Sequence, residues 1–475
     1  MNLKSYSLIF CFFWLSLSSH SQESWSLERC ISYAFEHSLT IRQSRLDAKQ
    51  SSINQIAAKQ LRAPNLNGSS NYNISYGRQI DPTTNDFINQ RFNSQNLSVN
   101  GGITLFAGGR INSQIRQSNL AVDAADLDIE QLENDLALNI AQTYLQILFA
   151  EENLANAKKS LELIQAQLDQ MEKMIRAGSR PRNAGLDLVA QVAQSEQMVI
   201  NSENEITIGY LNLRQLLQME DTLIRIEIPE ISLPSEYDIA ALNTKKVYES
   251  ALSWQPNIRS GLLRRKQAEL GVLLSKTDMM PSLSLGFSVG SRFSSFTRRQ
   301  GPQIDTETTS QDIFLNGEML VLSFDQPIFD FQKVSYLDQI NENLAYGLGL
   351  NLAVPIYNQG RSKANLQLAQ LDVVRTEISN QQLKNDLRAN VERAITDVKA
   401  GKKQYEAAVS TVEATRAAYQ DTEKRFGLGV ANSLEFVTAQ NNRDQAETNL
   451  LIAKYDYLFR LKVLDFYQGK KLTLN

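Results

Sequence analysis

Few side chains in this chain could do bond-making chemistry, and their spacing argues against it. The 475 residues contain two cysteines and two histidines. Lys4, the apolar run Leu8-Ile9-Phe10-Cys11-Phe12-Phe13-Trp14-Leu15 and the small-residue pattern Ser19-His20-Ser21 read as a secretory signal peptide over residues 1–21. The run is too short to span a bilayer as an anchor. Cys11 lacks the preceding small residue that a lipoprotein signal wants, so lipidation is not expected. Cleavage after Ser21 would leave Cys30 and His37 alone. One cysteine excludes a disulfide framework within the chain, and one of each type is far short of a zinc ligand set. Cys30 lies among Leu27, Ile31 and Ala34 and reads as a small buried apolar residue. His37 reads as a solvated or capping residue early in the first helix. No nucleophile, base and acid cluster together, and the carboxylates are scattered along helical faces. The expectation is a protein that is not an enzyme and needs no cofactor.

Charge narrows the partners. Lys and Arg total 48 against 52 acids, for a net charge of −4, and no stretch forms a basic domain. Nucleic acid is therefore not an expected partner. An apolar fraction of 42% with 21% charged residues is that of an ordered chain.

The elements that must position any functional residue are written twice. Pro64-Asn65-Leu66 opens one strand-like stretch and Pro281-Ser282-Leu283 another. Leu105-Phe106-Ala107-Gly108-Gly109-Arg110 has a counterpart in Ile356-Tyr357-Asn358-Gln359-Gly360-Arg361, and each leads into a long helical pattern. Those patterns end at Arg176-Ala177-Gly178 and Arg425-Phe426-Gly427, and restart at Leu186-Asp187-Leu188 and Ser433-Leu434-Glu435. Matched landmarks in one order indicate an internal duplication. The first repeat is 22–227, with a strand pair in 65–106, a long helix 110–176 and a return helix 185–219. The second is 257–475, with a strand pair in 282–356, a long helix 361–425 interrupted only by Gly401, and a return helix 433–467. Residues 228–256 join them through Ile228-Pro229-Glu230-Ile231-Ser232-Leu233-Pro234 and a shorter helix near Asp238–Trp254.

Four stretches alternate strictly in polarity. Leu66, Tyr72, Ile74 and Tyr76 face Asn67, Ser69, Asn71, Asn73 and Ser75. Leu97, Val99, Ile103 and Leu105 oppose Ser98, Asn100 and Thr104. Leu283, Leu285, Phe287 and Val289 oppose Ser284, Gly286, Ser288 and Gly290. Tyr346, Leu348, Leu350, Leu352, Val354 and Ile356 oppose Gly347, Gly349, Asn351 and Ala353. Period two marks strands with one apolar face, and about ten tilted residues cross a bilayer. Four strands cannot close a membrane barrel, so either the sheet is soluble or several chains pool their strands. The connection Gly77–Asn96 carries the turn Asp81-Pro82-Thr83-Thr84-Asn85, and 291–345 is a long loop with a strand-like piece at Glu318–Phe324. The helices of roughly 67 residues, on the order of 100 Å, read as coiled-coil or helical-barrel elements. Periodicity alone leaves open a soluble coiled-coil adaptor or structural protein.

The doubled order of helix, strand, turn, strand, long helix, hinge and helix resembles the TolC-like outer-membrane efflux proteins, from Leu27-Glu28-Arg29-Cys30 to the last helix. The resemblance rests on the proline before each first strand, the strand-to-helix junctions Gly109-Arg110 and Gly360-Arg361, and the hinge Arg425-Phe426-Gly427-Leu428-Gly429 with Ser433. It implies a mainly α fold with a small β part. Long antiparallel helices would form a trimeric α-barrel, and four strands per protomer a shared 12-stranded β-barrel in outer-membrane lipid. The homotrimer would conduct substrates outward, passively, for an RND or ABC inner-membrane pump and a periplasmic adaptor. Acids after the second hinge line the narrow end in relatives. The first maps to Glu435; the next position is Thr438, which departs from the family pattern, while Asp187 holds the equivalent place in the first repeat. Gly178, Gly427 and Gly429 would make the helix turns that adaptors grip. Arg176 and Arg425 would bridge neighbouring helices near that tip.

Overall fold

In the computed structural model, residues 24–80, 87–220, 224–228 and 243–470 are described. The signal segment, the turn at 81–86 and most of the 228–242 linker lie outside them. Two compact units divide the chain: one holds Met1–Ser51, Leu120–Arg265 and Val374–Asn475, the other Ser52–Asn119 and Lys266–Val373.

The element order is β1 (Ser24–Trp25), α1 (Leu27–His37), α2 (Leu39–Gln60), β2 (Asn65–Ile80), β3 (Phe87–Phe106), α3 (Arg110–Arg176), α4 (Leu186–Leu217), β4 (Arg225–Ile226), α5 (Thr244–Trp254), α6 (Pro256–Thr277), β5 (Ser282–Ser294), β6 (Arg298–Leu315), β7 (Glu318–Lys333), α7 (Tyr336–Glu342), β8 (Ala345–Ala353), α8 (Arg361–Gly427) and α9 (Ser433–Tyr467). The long helix α3 has the expected bounds. Its counterpart α8 runs unbroken through Gly401 and two residues past Arg425. At Gly401 an added Cβ would meet Tyr457 and Arg460 of α9, so the missing side chain admits a close neighbour rather than ending the helix. No described helix is long and apolar enough to cross a membrane.

In the first unit, two cores of like composition hold the helices together. Leu27, Cys30 and Ala34 of α1 pack with Ile140, Tyr144 and Ile147 of α3, Leu213 of α4 and Leu458 of α9. Val247 and Ala251 of α5 pack with Val391, Ile395 and Val398 of α8 and Leu461 of α9. Some positions recur at equal spacing: Cys30 and Ala34 of α1 are spaced like Val247 and Ala251 of α5, and Ile140 and Ile147 of α3 like Val391 and Val398 of α8. The caps correspond too. Ser38 and Gln255 end α1 and α5 with nearly the same backbone angles, and each donates its N–H to an alanine carbonyl. Cys30 is fully buried, and that burial pushes its thiol pKa up to about 12. His37 is exposed and ends α1 rather than lying early in it; it stacks on Tyr33 and its Nδ1 bonds the Tyr33 carbonyl at 2.9 Å.

Tyr144 ties the first core to the linker. Its hydroxyl donates to the Glu227 carbonyl at 2.6 Å and lies 3.0 Å from that of Trp25. Removing it deletes the hydrogen bond to the Glu227 carbonyl, at a cost of about 0.5–1.5 kcal/mol. Tyr144→Phe should lower the melting temperature of the detergent-extracted protein; calorimetric identity with wild type would refute this anchoring role.

The second unit contains a four-stranded antiparallel sheet ordered β2-β3-β5-β8. Cross-strand register sorts its faces. Leu66, Gly101, Phe287 and Leu348 stand in one row, Ile103, Leu285 and Leu350 in the next, and Val99, Val289 and Tyr346 in a third. The Phe287 ring covers Gly101, where a Cβ would sit 2.4 Å from it. Asn67, Asn100, Ser288 and Gly347 share the opposite face with Thr104, Ser284 and Asn351. A bulge between Thr104 and Phe106 seats Phe106, not Leu105, opposite Leu283. β8 stops at Ala353, so Val354 and Ile356 lie beyond the sheet.

The connections differ from the sequence reading. Residues 77–80 and 87–96, read as a loop, are strand: β2 and β3 pair from Asn65–Gly102 to Ile80–Phe87. Arg and Gln side chains there erase the alternation while the backbone ladder continues. Within 291–345, β6 and β7 form a long hairpin, followed by α7. Its turn, Asn316-Gly317, has both residues at positive φ, the geometry of a tight hairpin turn.

Candidate functional site

The first hinge follows α3. Gly178, at φ 73°, lets its own N–H reach Ile175 O and the Ser179 N–H reach Met174 O, both at 3.0 Å. The second repeats this geometry at Gly429, φ 75°, whose N–H bonds Phe426 O at 3.0 Å while Val430 bonds Arg425 O at 2.9 Å. These paired bonds satisfy the last helical carbonyls, and the left-handed residue favours glycine. Gly429 is thus the counterpart of Gly178. Gly427 is the last residue of α8, without a positive φ, and does not make the turn.

Five residues on, Asn432 caps α9. Its Oδ1 accepts from the Glu435 N–H at 2.9 Å, and its Nδ2 donates to Glu435 Oε1 at 2.9 Å, a reciprocal cap like those that start helices. Arg425 Nη2 stands 3.7 Å from Glu435 Oε2, with both side chains about half exposed (49% and 48%). Such a pair contributes about 1 kcal/mol at most. The structure thus brings Arg425 and Glu435 together and gives the carboxylate a capping role. Phe426 and Phe436 stack beneath, centroids 4.7 Å apart. Asp187 is exposed in the first turn of α4, whose N-cap Gly185 offers no side chain, so the acid complements the helix dipole there. One turn beyond each acid stand Ala190 and Thr438, both uncharged. Arg176 bonds Glu172 O of its own helix, at 3.4 Å. The two hinges meet where Arg180 Nη2 lies 3.7 Å from the point a Gly429 Cβ would occupy. Ser433 opens α9.

Leu428, Val430 and Leu434 project from the second hinge, 80%, 69% and 72% exposed, and Leu186 and Val189 from the start of α4, 65% and 51%. Only Leu428 was a candidate from sequence; apolar residues interrupting a polar hinge were the signal available for the others. Behind the tip, α3, α8 and α9 enclose a polar cavity of about 590 Å³ lined by Ser160, Arg416, Tyr419, Arg443, Asp444 and Glu447. Arg443 lies over the Tyr419 ring at 4.1 Å and pairs with Asp444, while Ser160 donates to Asp444 at 2.7 Å.

At the strand-to-helix junctions, Gly108-Gly109 and Gln359-Gly360 hold consecutive positive φ angles, after which Arg110 and Arg361 start α3 and α8. Arg110 pairs with the Asp278 carboxylate at 2.5 Å, and Ser362 Oγ donates to the Asp278 carbonyl at 3.3 Å. Asp278, not evident from sequence, therefore ties both junctions.

A sheet whose central rows are apolar on one face and uncharged on the other, carried by helices too polar for a membrane, defines a membrane β-protein with a large polar helical part. The pattern of the Outer membrane efflux protein family matches residues 30–218 and 335–470, and the chain belongs to that family. It is 25% identical over 385 residues to the pyoverdine export outer membrane protein OpmQ of Pseudomonas putida, covering 78% of this chain and 68% of OpmQ. It is 21% identical to the outer membrane protein TolC of Vibrio cholerae, over 86% of this chain and 81% of TolC. Among solved structures it resembles CusC, with a TM-score of 0.75, 16% identity and 96% of each chain covered. It also resembles VceC of Vibrio cholerae, with a TM-score of 0.72, 15% identity and 94% and 96% covered. The chain is an outer-membrane protein of an efflux and export channel family, which is a family of channels rather than enzymes.

Proposed function

We propose that this chain is one protomer of a homotrimeric export duct, in which three four-stranded sheets close a 12-stranded β-barrel and the long helices an α-barrel. The sheet carries this reading. It has an unpartnered apolar face, with Tyr346, Leu348, Leu350 and Leu352 64–85% exposed, a polar face uncharged in its central rows, and free edges at β2 and β8. Open edges are not viable in lipid; joining β8 of one copy to β2 of the next removes all of them and turns the Asn, Ser and Gly face to a wet lumen. Exposed stripes at Leu46, Ile53 and Ile56 of α2 and at Leu368, Leu371 and Ile378 of α8 are the surfaces neighbouring helices would cover. The corresponding cores and caps support descent from a duplicated unit.

Transport is passive conduction, energised by an RND or ABC inner-membrane pump. The exposed Leu428, Val430 and Leu434 at the second hinge, with Gly178 and Gly429 shaping the two turns, form the surface offered to a periplasmic adaptor. The first hinge, with Arg180-Pro181-Arg182, presents a more basic surface. Pyoverdine export by OpmQ makes pyoverdine one cargo to assay.

Two measurements test the reading. Gentle extraction should yield a trimer; a monomer active in planar bilayers would overturn it. In the same bilayers, the double variant Asp187→Asn and Glu435→Gln should lower cation over anion permeability several-fold. Unchanged selectivity would remove both acids from the pore while leaving the trimer standing.

A further inference from the structure

The β6–β7 hairpin is rooted firmly, but its blade is left uncovered by the described residues of its own chain. Gln339 of α7, 2% exposed, spans its two feet, accepting from Ser294 N–H at 2.9 Å and donating to Val334 O at 3.0 Å. Phe296 is buried against Phe92, and Arg299 pairs with Glu342. The blade above is different. Ile304, Phe314, Leu315, Met319, Val321 and Leu322 are 49–74% exposed, and isolated two-stranded ribbons are marginal in water. The blade also carries Asp305, Glu307, Asp312, Glu318, Asp325 and Asp330 and no cation anywhere in 300–332. It lies in the stretch between the two parts of the family match, which end at 218 and resume at 335.

The opposite edge of the sheet has a matching deficit. β2 is 16 residues long and β8 only 9. A neighbouring β8 therefore leaves at least seven residues of β2 without a strand partner, about 23 Å of edge. Both strands meet the helices at their lower ends, so the surplus projects at the far end, the end from which the blade rises. That end exposes Tyr72, Ile74, Tyr76, Ile80 and Phe87; its described strands carry Arg78 and Arg91, and the connection between them carries Asp81 and Asp86. Arg78 is stacked on Phe87, 4.1 Å from the ring centroid.

We propose that the β6–β7 blade docks on a second copy of this chain, against the projecting β2–β3 end of the adjacent protomer. The apolar residues of each would cover those of the other, and the blade's acids would meet Arg78 and Arg91. This rests on the trimer reading. It adds a second contact outside the bilayer, and holding both partners on one rim raises their effective concentration enough for a modest surface to suffice.

The test uses the full-length protein in outer membranes. Tyr76→Cys and Ile328→Cys are expressed as two separate chains in one cell and treated with a short flexible bis-maleimide; buried Cys30 stays unreactive because burial holds it as the thiol. The expected result is a cross-linked dimer in cells containing both variants and none with either alone. Arg78→Glu with Arg91→Glu should abolish that band, and adding Asp305→Lys with Asp330→Lys should restore it. A trimer on native gels without any cross-link overturns blade docking and leaves the duct intact, as does cross-linking only within a doubly substituted chain. Loss of the trimer itself in the single-cysteine parents would overturn the underlying reading instead.

Discussion

Leu350→Arg is expected to remove the protein from the outer membrane, whereas Ser288→Arg, on the opposite face of the same sheet, should leave it assembled and change only its conductance. Leu350 stands opposite Leu285 on the apolar face, with Ile103 beyond, and is 68% exposed because none of the described residues covers it. An arginine facing lipid near the bilayer centre costs about 2–4 kcal/mol, and in the proposed trimer three copies would multiply that to about 6–12 kcal/mol. Few proteins have stability to absorb such a loss. Ser288 lies between Asn100 and Gly347 on the polar face, where the guanidinium stays hydrated and costs little. Its charge would repel cations, so the cation preference of single channels should fall. Quantifying heat-modifiable protein in outer-membrane fractions separates the two. Equal survival of both variants would show that the apolar face does not meet lipid.

The sequence carried most of this fold because its signals were local. Strict alternation located the strand cores, since a side-chain period of two needs no knowledge of the partner. The bounds of α3 followed from an absence of glycine and proline after Gly109. Two features were hidden for physical reasons. The outer ends of β2 and β3 carry Arg78, Gln90 and Arg91, so polarity no longer alternates although every backbone pair is made. The β6–β7 hairpin was lost inside a supposed loop because acids and threonines fill β6, yet Asn316-Gly317 was a readable turn signal.

The candidate site was legible as a place but not as geometry. Both hinges were visible from composition. Which glycine turns the chain was not, because Gly427 and Gly429 differ only in a backbone angle that the surrounding hydrogen bonds select. Glu435 was legible as an acid at a helix start; its bonds to Asn432 and Arg425 depend on how the hinge folds back. Asp278, Val430 and Leu434 gain meaning only once distant segments meet.

The same hinge yields the sharpest contrast, between two glycines separated by one residue. Gly429→Val should destabilise the second hinge and cut export strongly, while Gly427→Ala should leave both at or above wild-type levels. At Gly429 the left-handed backbone costs a β-branched residue at least about 1–2 kcal/mol. Relaxing that strain would also pull Val430 N–H from Arg425 O, in a turn of the chain that leads directly to the Asn432 cap. The apolar trio Leu428, Val430 and Leu434 would then be displaced together, and a docking surface depends on their joint placement. Gly427 is helical, with open space where a Cβ would go, so alanine there gains about 0.5–1 kcal/mol of helix stability. Thermal melting of the purified protein reads the first effect, and cargo accumulation in cells lacking the native gene reads the second. Normal export by Gly429→Val would refute docking at this hinge, and a defect confined to Gly427→Ala would place the functional turn two residues earlier.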